Sequence, residues 1–266
     1  MMQGNNATKT RGLKMLLNLE LFTVGLGVGA LGTLIGVGGG FILVPVFLFV
    51  FHFTPQYAVG TSLFVVFANA LSGTIAYVRQ KKVYYDAAIR FALATLPGAV
   101  LGSYSAHYFT NRIFYISFGA LLMSIAALLY WRTKHELGSG RDNNEFPVNY
   151  DRVLGISLSV VVGFLSSTFG IGGGIIHVPA MIGLLGFSAH VATATSHFVL
   201  AISACIGVVS HFLLGNVLLA PALIVGSGAA IGAQIGAYLS PKTKPRSISL
   251  LLCVALFVLG LKMILS

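Results

Sequence analysis

A glycine-rich run that occurs twice inside apolar sequence constrains this chain more than any other feature. The first copy reads GVGGGFILVP from Gly36 to Pro45, and the second reads GIGGGIIHVP from Gly170 to Pro179. Each glycine inside a helix costs about 1 kcal/mol relative to alanine, so such a run predicts a break in the helix. Within a bilayer, bare backbone survives only where protein groups or a water-filled cavity satisfy it. We therefore expect two interrupted membrane segments at matching places.

The composition indicates an integral membrane protein. Of its 266 residues, 56% are hydrophobic and 8% are charged, and the mean hydropathy is +0.91. Soluble domains carry about 25% charged residues, which excludes that class. The length fits roughly eight to ten apolar segments joined by short loops. The net charge of +10 resides in those loops, where the positive-inside rule places Lys and Arg, so it does not indicate nucleic acid.

The apolar segments fall into two series separated by one polar stretch. We predict a polar N-terminal tail at 1–14, a first transmembrane repeat at 15–131, a cytoplasmic linker at 132–152 and a second repeat at 153–266. The predicted segments are 21–35, 41–53, 57–78, 87–108 and 113–131, then 153–169, 175–187, 191–214, 217–239 and 247–265.

The two series are copies of each other at an offset of 134 residues. The glycine runs match, and so do Pro45 with Pro179 and Tyr104 with Tyr238, without a gap. The first two segments of each half are short of the roughly 20 residues that span a bilayer, so each pair forms either two short spans or one re-entrant hairpin. With the basic loops at 79–82, 132–152 and 242–246 in the cytoplasm, each half crosses an odd number of times. The predicted fold is therefore an all-α polytopic bundle of two inverted repeats, each a glycine-broken hairpin plus three full spans.

A helix restarts after each glycine run, and the first N–H groups of a helix have no internal partner. The helix dipole places partial positive charge there, and glycine lets a ligand approach the backbone closely. Two such N-termini suit an anion, whereas the alternative is that the glycines serve only close helix packing. The candidate glycines are Gly36, Gly38, Gly39, Gly40, Gly170, Gly172, Gly173 and Gly174.

Hydroxyls and imidazoles complete the candidate site. Thr61-Ser62 and Thr195-Ser196 occupy equivalent positions, where they could donate to an oxyanion or instead cap or back-bond within a helix. His177 and His197 stand where the first half has leucine, and an intramembrane ionisable residue is a functional candidate. We weigh substrate contact or proton coupling for them against a neutral hydrogen bond between helices.

The positions of the acidic residues limit the charge that the substrate can carry. All six lie at segment ends or in the linker, so we expect an anionic or neutral substrate and no carboxylate relay; they are Glu20, Asp86, Glu136, Asp142, Glu145 and Asp151. Asp86 and Arg90 suggest an interfacial ion pair one helical turn apart. Cys205 and Cys253 suggest packing residues, and nothing predicts a metal site, a cofactor or an enzyme active site.

The paired glycine-proline motifs, the Thr-Ser pairs and the duplicated layout resemble the sulfite exporter TauE/SafE family, also called TSUP permeases. The resemblance covers the whole chain. It implies a multi-pass permease of the bacterial inner membrane for sulfite, thiosulfate, sulfoacetate or another organosulfonate. It also implies a site at the two glycine turns and the Thr-Ser pairs, while His177 and His197 lack first-half counterparts.

Three functional hypotheses follow. The leading one is a secondary transporter that exposes a small sulfur oxyanion or organosulfonate alternately to the two sides of the lipid bilayer, with proton coupling through histidine. The rivals are an anion channel with the same pocket and a membrane accessory protein without transport of its own. The oligomeric state stays open between monomer and homodimer.

Overall fold

The computed structural model describes the backbone of residues 2–106, 108–135, 150–242 and 245–266. This part of the chain is all-α and holds ten helices. They are α1 (Met2–Ile35), α2 (Gly40–Phe49), α3 (Pro55–Arg79), α4 (Tyr85–Ala106), α5 (Asn111–His135), α6 (Arg152–Phe169), α7 (Gly174–Gly183), α8 (Ala189–Leu213), α9 (Leu219–Leu239) and α10 (Pro245–Leu265). Most of the predicted linker, 136–149, lies outside the described residues, as do Glu136, Asp142 and Glu145.

The predicted all-α membrane bundle is confirmed. Seven helices in the described residues are long and apolar enough to cross a bilayer, and α2, α7 and the Cys253–Leu265 part of α10 are shorter apolar segments. Several boundaries differ from the predicted ones, and two of the differences have local causes. The helix α1 begins at Met2, since no proline interrupts the chain before its glycine turn. The helix α2 ends at Phe49, before a turn in which His52 has a φ of 54° and ahead of Pro55, which opens α3.

Two parallel helix pairs connect the halves of the chain. Along α1 and α9, Gly25 lies against the backbone of Val225 and Gly29 against that of Ala229, so the residue numbers rise together. The helices α4 and α6 pack in the same manner. Glycines at these contacts let the backbones approach closely, as small residues do between membrane helices. Each half is therefore held mainly by contacts to the other.

The helices α3 and α8 cross at the centre and run antiparallel. Gly73 of α3 faces His197 of α8, whereas Leu63 of α3 faces Gly207, so the numbers run in opposite directions. The helices α5 and α10 are also antiparallel, since Gly119 lies against 260–264 and the side chain of Met123 lies against Gly260. In each of these two pairs, the two helices occupy equivalent positions in the sequence repeat.

The predicted pair of Asp86 and Arg90 is present at the start of α4, with 2.9 Å between the guanidinium and the carboxylate. The hydroxyl of Tyr150 donates to the same carboxylate at 2.7 Å, and its ring packs edge-on against Phe187. Burial, followed by this hydrogen bond, raises the pKa of Tyr150 to about 12. The tyrosine therefore joins the segment before α6 to the first half as a neutral donor.

Candidate functional site

The glycine runs form two left-handed turns that separate α1 from α2 and α6 from α7. In the first turn Gly36, Gly38 and Gly39 have φ values of 86°, 84° and 82°. In the second turn Gly170, Gly172 and Gly173 have φ values of 70°, 80° and 72°. Only glycine adopts this conformation without strain, which is why the motif needs several glycines in so short a stretch.

The two turns pack against each other, backbone to backbone. A Cβ placed on Gly40 would meet the carbonyl oxygen of Gly170, and one placed on Gly174 would lie 2.5 Å from the carbonyl oxygen of Gly36. Each short helix, α2 or α7, therefore begins directly against the turn of the other half. The predicted glycines come together as one unit.

The turns lie at mid-depth in the bundle. Gly38 and Gly172 both contact the side chains of Val66 and Leu200, which stand near the middle of α3 and α8. These two side chains are equivalent in the repeat and are at most 2% exposed. Equivalent residues of the two halves therefore make equivalent contacts with the two glycine turns.

The predicted Ser pair connects the turns. Ser62 Oγ donates to the carbonyl of Gly170 at 2.9 Å, and Ser196 Oγ donates to the carbonyl of Gly36 at 3.4 Å. Both bonds reach the opposite half, whereas the sequence alternatives were an oxyanion or a carbonyl of the same helix. Each serine is at most 1% exposed.

The predicted Thr pair also bonds across the halves. Thr61 Oγ1 accepts the backbone N–H of Leu218, and Thr195 Oγ1 accepts that of Tyr84, each at 3.1 Å. The donors Leu218 and Tyr84 stand just before α9 and α4, so these bonds fix the starts of those helices. Because a hydroxyl that accepts a bond still holds its own proton, both threonines can also donate.

His177 points away from the paired turns. Its Nε2 lies 3.1 Å from Ser159 Oγ on α6, and its ring packs edge-on against Phe91 of α4. The serine donates to the carbonyl of Gly155, so it accepts from the imidazole. The arrangement is the neutral helix-to-helix hydrogen bond that was the alternative for this residue.

His197 belongs to a network at the first glycine turn. Its Nε2 lies 3.2 Å from Thr33 Oγ1, and this threonine donates to Asn69 Oδ1 at 2.9 Å. The imidazole is therefore the donor to Thr33, which leaves the lone pair on Nδ1. That nitrogen faces the backbone of Thr193 and makes no hydrogen bond of ordinary geometry within the described residues. A proton taken up at Nδ1 could be donated to the backbone carbonyl of Thr193.

Asn69 is the residue that the sequence reasoning missed. Its Nδ2 donates to the carbonyl of Gly38 at 3.2 Å, so its amide joins the first turn to Thr33. The side chain is fully buried in the apolar middle of α3. An amide at such a position was a signal available in the sequence, because a polar side chain inside a membrane segment calls for a partner.

The second half builds this region differently. The position equivalent to Tyr77, whose hydroxyl donates to the carbonyl of Thr33, is His211, whose Nε2 donates to the carbonyl of Ser167 at 2.9 Å. Asn216 Nδ2 lies 3.5 Å from Nδ1 of this histidine, which keeps the ring neutral with its proton on Nε2. Both halves thus have a side-chain donor bonded to the equivalent backbone carbonyl, but the donor is a tyrosine in the first half and a histidine in the second.

Comparison with known proteins identifies a family and relatives that cover most of the chain. The model of the sulfite exporter TauE/SafE family matches residues 21–263. The probable membrane transporter protein YunE of Bacillus subtilis is 34% identical, with 92% of this chain and 96% of that protein covered. A second B. subtilis protein, the probable membrane transporter protein YjnA, is 30% identical over 93% of this chain and 100% of its own length. A probable membrane transporter protein of Methanocaldococcus jannaschii is 29% identical over 92% of this chain and 94% of its own length.

No solved structure is significantly similar to the chain. The family match covers both glycine turns, all the helices that meet around them and both parallel pairs that connect the halves. The chain is therefore a multi-pass membrane transporter that belongs to the sulfite exporter TauE/SafE family.

Proposed function

We propose that the protein is a secondary transporter that moves a small sulfur-containing anion across the bacterial inner membrane by alternating access. The observation that carries this proposal is the meeting of the two glycine turns at mid-depth, where α2 and α7 each begin against the other half. Broken helices whose N-termini meet near the midplane are typical of secondary transporters. Sulfite, thiosulfate, sulfoacetate and other organosulfonates are the candidate substrates.

The chemistry around the turns suits an oxyanion held by neutral donors. The N-terminal N–H groups of α2 and α7 supply donors and partial positive charge, and the Thr61 and Thr195 hydroxyls can add donors. In the described residues, every Lys and Arg with a described side chain is at least partly exposed, and none is buried at the turns. A site made only of dipoles binds an anion without holding it too tightly for release.

We propose that the two halves are inverted repeats that rock against each other around this site. Support comes from the antiparallel arrangement of α3 with α8 and of α5 with α10, which are equivalent helices. The Ser62 and Ser196 bonds hold the turns together across the halves, and their carbonyl acceptors would be exchanged when the halves move.

The burial of the turns favours a transporter over a continuously open channel. Thr61, Ser62, Thr195 and Ser196 are at most 1% exposed, and Val66 and Leu200 cover the turns. A substrate reaches such a site only after the halves separate on one side. Alternating access requires that step, whereas an open pore does not.

Flux through purified protein in liposomes tests the function. We expect saturable uptake of at least one anion from a panel of sulfite, thiosulfate, sulfoacetate, taurine and sulfate, with acceleration by the same anion on the opposite side. Linear, ohmic conductance would establish a channel. Flux equal to that of empty liposomes, together with no thermal stabilisation by any anion of the panel, would establish an accessory protein.

Proton coupling through His197 is tested by the substitution His197→Leu, which copies Leu63 of the first half. We expect the variant to insert and fold, and to lose most of the pH dependence of transport that the wild-type protein shows. His177→Leu is the matched control, because its ring faces Ser159 and Phe91 rather than the turns. A pH profile of His197→Leu that equals the wild-type profile would remove the coupling role.

A further inference from the structure

The two glycine turns are equivalent in the repeat but have different polar surroundings. At the first turn, Asn69 fills the space between Thr33 and the carbonyl of Gly38 and bonds to both. At the second turn the equivalent of Asn69 is Ser203, whose side chain is too short to make this bridge. The equivalent of Thr33 is Ser167, which lacks the methyl group as well. The second turn therefore lacks the amide bridge of the first.

Three hydroxyls at this second turn have no hydrogen-bond partner in the described part of the chain. They belong to Ser166, Ser167 and Ser203, and all three side chains are at most 3% exposed. A buried hydroxyl without a partner costs about 1–3 kcal/mol, so three in one region require an explanation. A bound ligand would supply the missing partners.

Contacts locate these hydroxyls beside the second turn. Ser166 Oγ lies 3.6 Å from the Cβ position of Gly173, and Ser167 Oγ lies 2.8 Å from that of Gly207. Ser203 stands one helical turn before Gly207 on α8 and so faces the same way as that glycine. We call these three residues the serine site, and we include the Gly172 carbonyl because it is equivalent to the Gly38 carbonyl that Asn69 contacts.

The character of the serine site favours a cation. Ser166 and Ser167 belong to the last turn of α6, where the helix dipole places partial negative charge. The Gly172 carbonyl accepts one bond, from the N–H of Gly174, and a carbonyl oxygen has a second lone pair. In the first half, the equivalent carbonyl, that of Gly38, accepts a bond from the Nδ2 group of Asn69, the positively polarised end of an amide.

We propose that the serine site binds Na⁺ and that this ion is a co-substrate of the anion transported at the adjacent helix N-termini. The proposal rests on the proposed function, because the anion supplies the negative charge that the site lacks. Hydroxyl and backbone carbonyl oxygens at the C-terminal end of a broken helix are the groups that coordinate Na⁺ in transporters of this kind.

The absence of a nearby carboxylate makes the coupling mutual. Every acidic residue whose side chain is described lies at the surface, so no fixed negative charge holds the cation in place. Na⁺ therefore binds weakly unless the anion is present, and the anion binds weakly unless Na⁺ is present. Such reciprocal dependence is the thermodynamic condition for coupled transport.

Anion binding in different chloride salts tests the proposal. Purified protein is titrated with the anion of the panel that stabilises it best, at constant pH and ionic strength, in NaCl, KCl or choline chloride. We expect the anion Kd to be at least about tenfold lower in NaCl than in the other two salts. An inward Na⁺ gradient at constant pH should also drive uptake into liposomes.

Two variants test whether the ion binds at the serine site. Ser203→Asn copies the first half, so its amide should occupy the cation position and leave anion binding independent of Na⁺. Ser167→Ala removes one ligand and should weaken the Na⁺ effect, and it should not unfold the protein because this hydroxyl makes no hydrogen bond in the described residues. Ser103→Ala is the matched control, since its hydroxyl bonds within α4 to Ala99 and its Na⁺ dependence should equal that of wild type.

The outcomes separate the two proposals. Anion binding of equal affinity in all three salts would overturn the Na⁺ site, leave the transport function standing and assign the unpartnered hydroxyls to buried water. An unchanged Na⁺ effect in both Ser203→Asn and Ser167→Ala would overturn the location. Absence of anion binding in every salt would overturn the proposed function and the Na⁺ proposal with it.

Discussion

Replacing Gly174 with alanine is expected to abolish anion binding and to lower the thermal stability of the protein. The added methyl group would lie 2.5 Å from the carbonyl oxygen of Gly36 and would force the two turns apart. Overpacking of this kind costs about 1–3 kcal/mol, and here the obstacle is backbone rather than a side chain that can move. Gly40→Ala should act in the same way, because its methyl group would meet the carbonyl of Gly170.

These two positions separate packing between the halves from backbone strain. Gly40 and Gly174 open their helices, and neither has a positive φ, so alanine is compatible with their conformation. The loss of binding would then come from the contact between the turns alone. Thermal unfolding with and without the anion measures both the stability of each variant and its anion binding. Gel filtration in detergent checks that each variant is folded.

Gly27→Ala is the matched control. This glycine also lies in a membrane helix, but in the described residues no atom apart from the neighbouring backbone of α1 lies within 4 Å of its Cβ position. Alanine should therefore stabilise α1 by up to about 1 kcal/mol and leave anion binding unchanged. Wild-type anion affinity in both Gly40→Ala and Gly174→Ala would show that the close fit of the turns is not needed for binding.

The helices could be predicted from the sequence because their causes are local. Apolar runs, the glycine clusters and the prolines after them lie within a few residues of the boundaries they determine, so the start of α2 at Gly40 and of α7 at Gly174 was predicted to within one residue. The extension of α1 to Met2 was missed, because its polar residues were taken as a tail. Polar composition does not by itself end a helix.

The partners within the site could not be predicted, because they are distant in the sequence. The repeat identified Ser62 and Ser196 as a pair, but their acceptors are carbonyls of the opposite turn, over a hundred residues away. The histidines received equal weight, whereas only His197 reaches the network of the first turn. Which side of a membrane helix faces which neighbour depends on packing that hydropathy does not encode.

The difference between the halves leads to a further large effect, at Asn69. Replacing this residue with leucine is expected to lower the free energy of unfolding by about 1–3 kcal/mol, because the buried carbonyl of Gly38 loses the bond from Nδ2. The hydroxyl of Thr33 also loses its acceptor. Since Gly38 belongs to the first glycine turn, anion affinity should fall together with stability.

The equivalent residue of the second half provides the comparison for Asn69→Leu. Ser203→Ala removes a hydroxyl that bonds to no group in the described residues, so it should cost far less stability than Asn69→Leu, measured by thermal unfolding of the purified proteins without substrate. Equal destabilisation at the two positions would mean that the halves are energetically alike and that the amide of Asn69 does not hold the first turn. A large difference would show that one turn is fixed by the protein's own side chain, whereas the other keeps unpartnered oxygens for a ligand. The sequence repeat would then contain two similar turns with different roles. Because of substitutions at equivalent positions, the first turn would serve stability and the second would serve ligand binding.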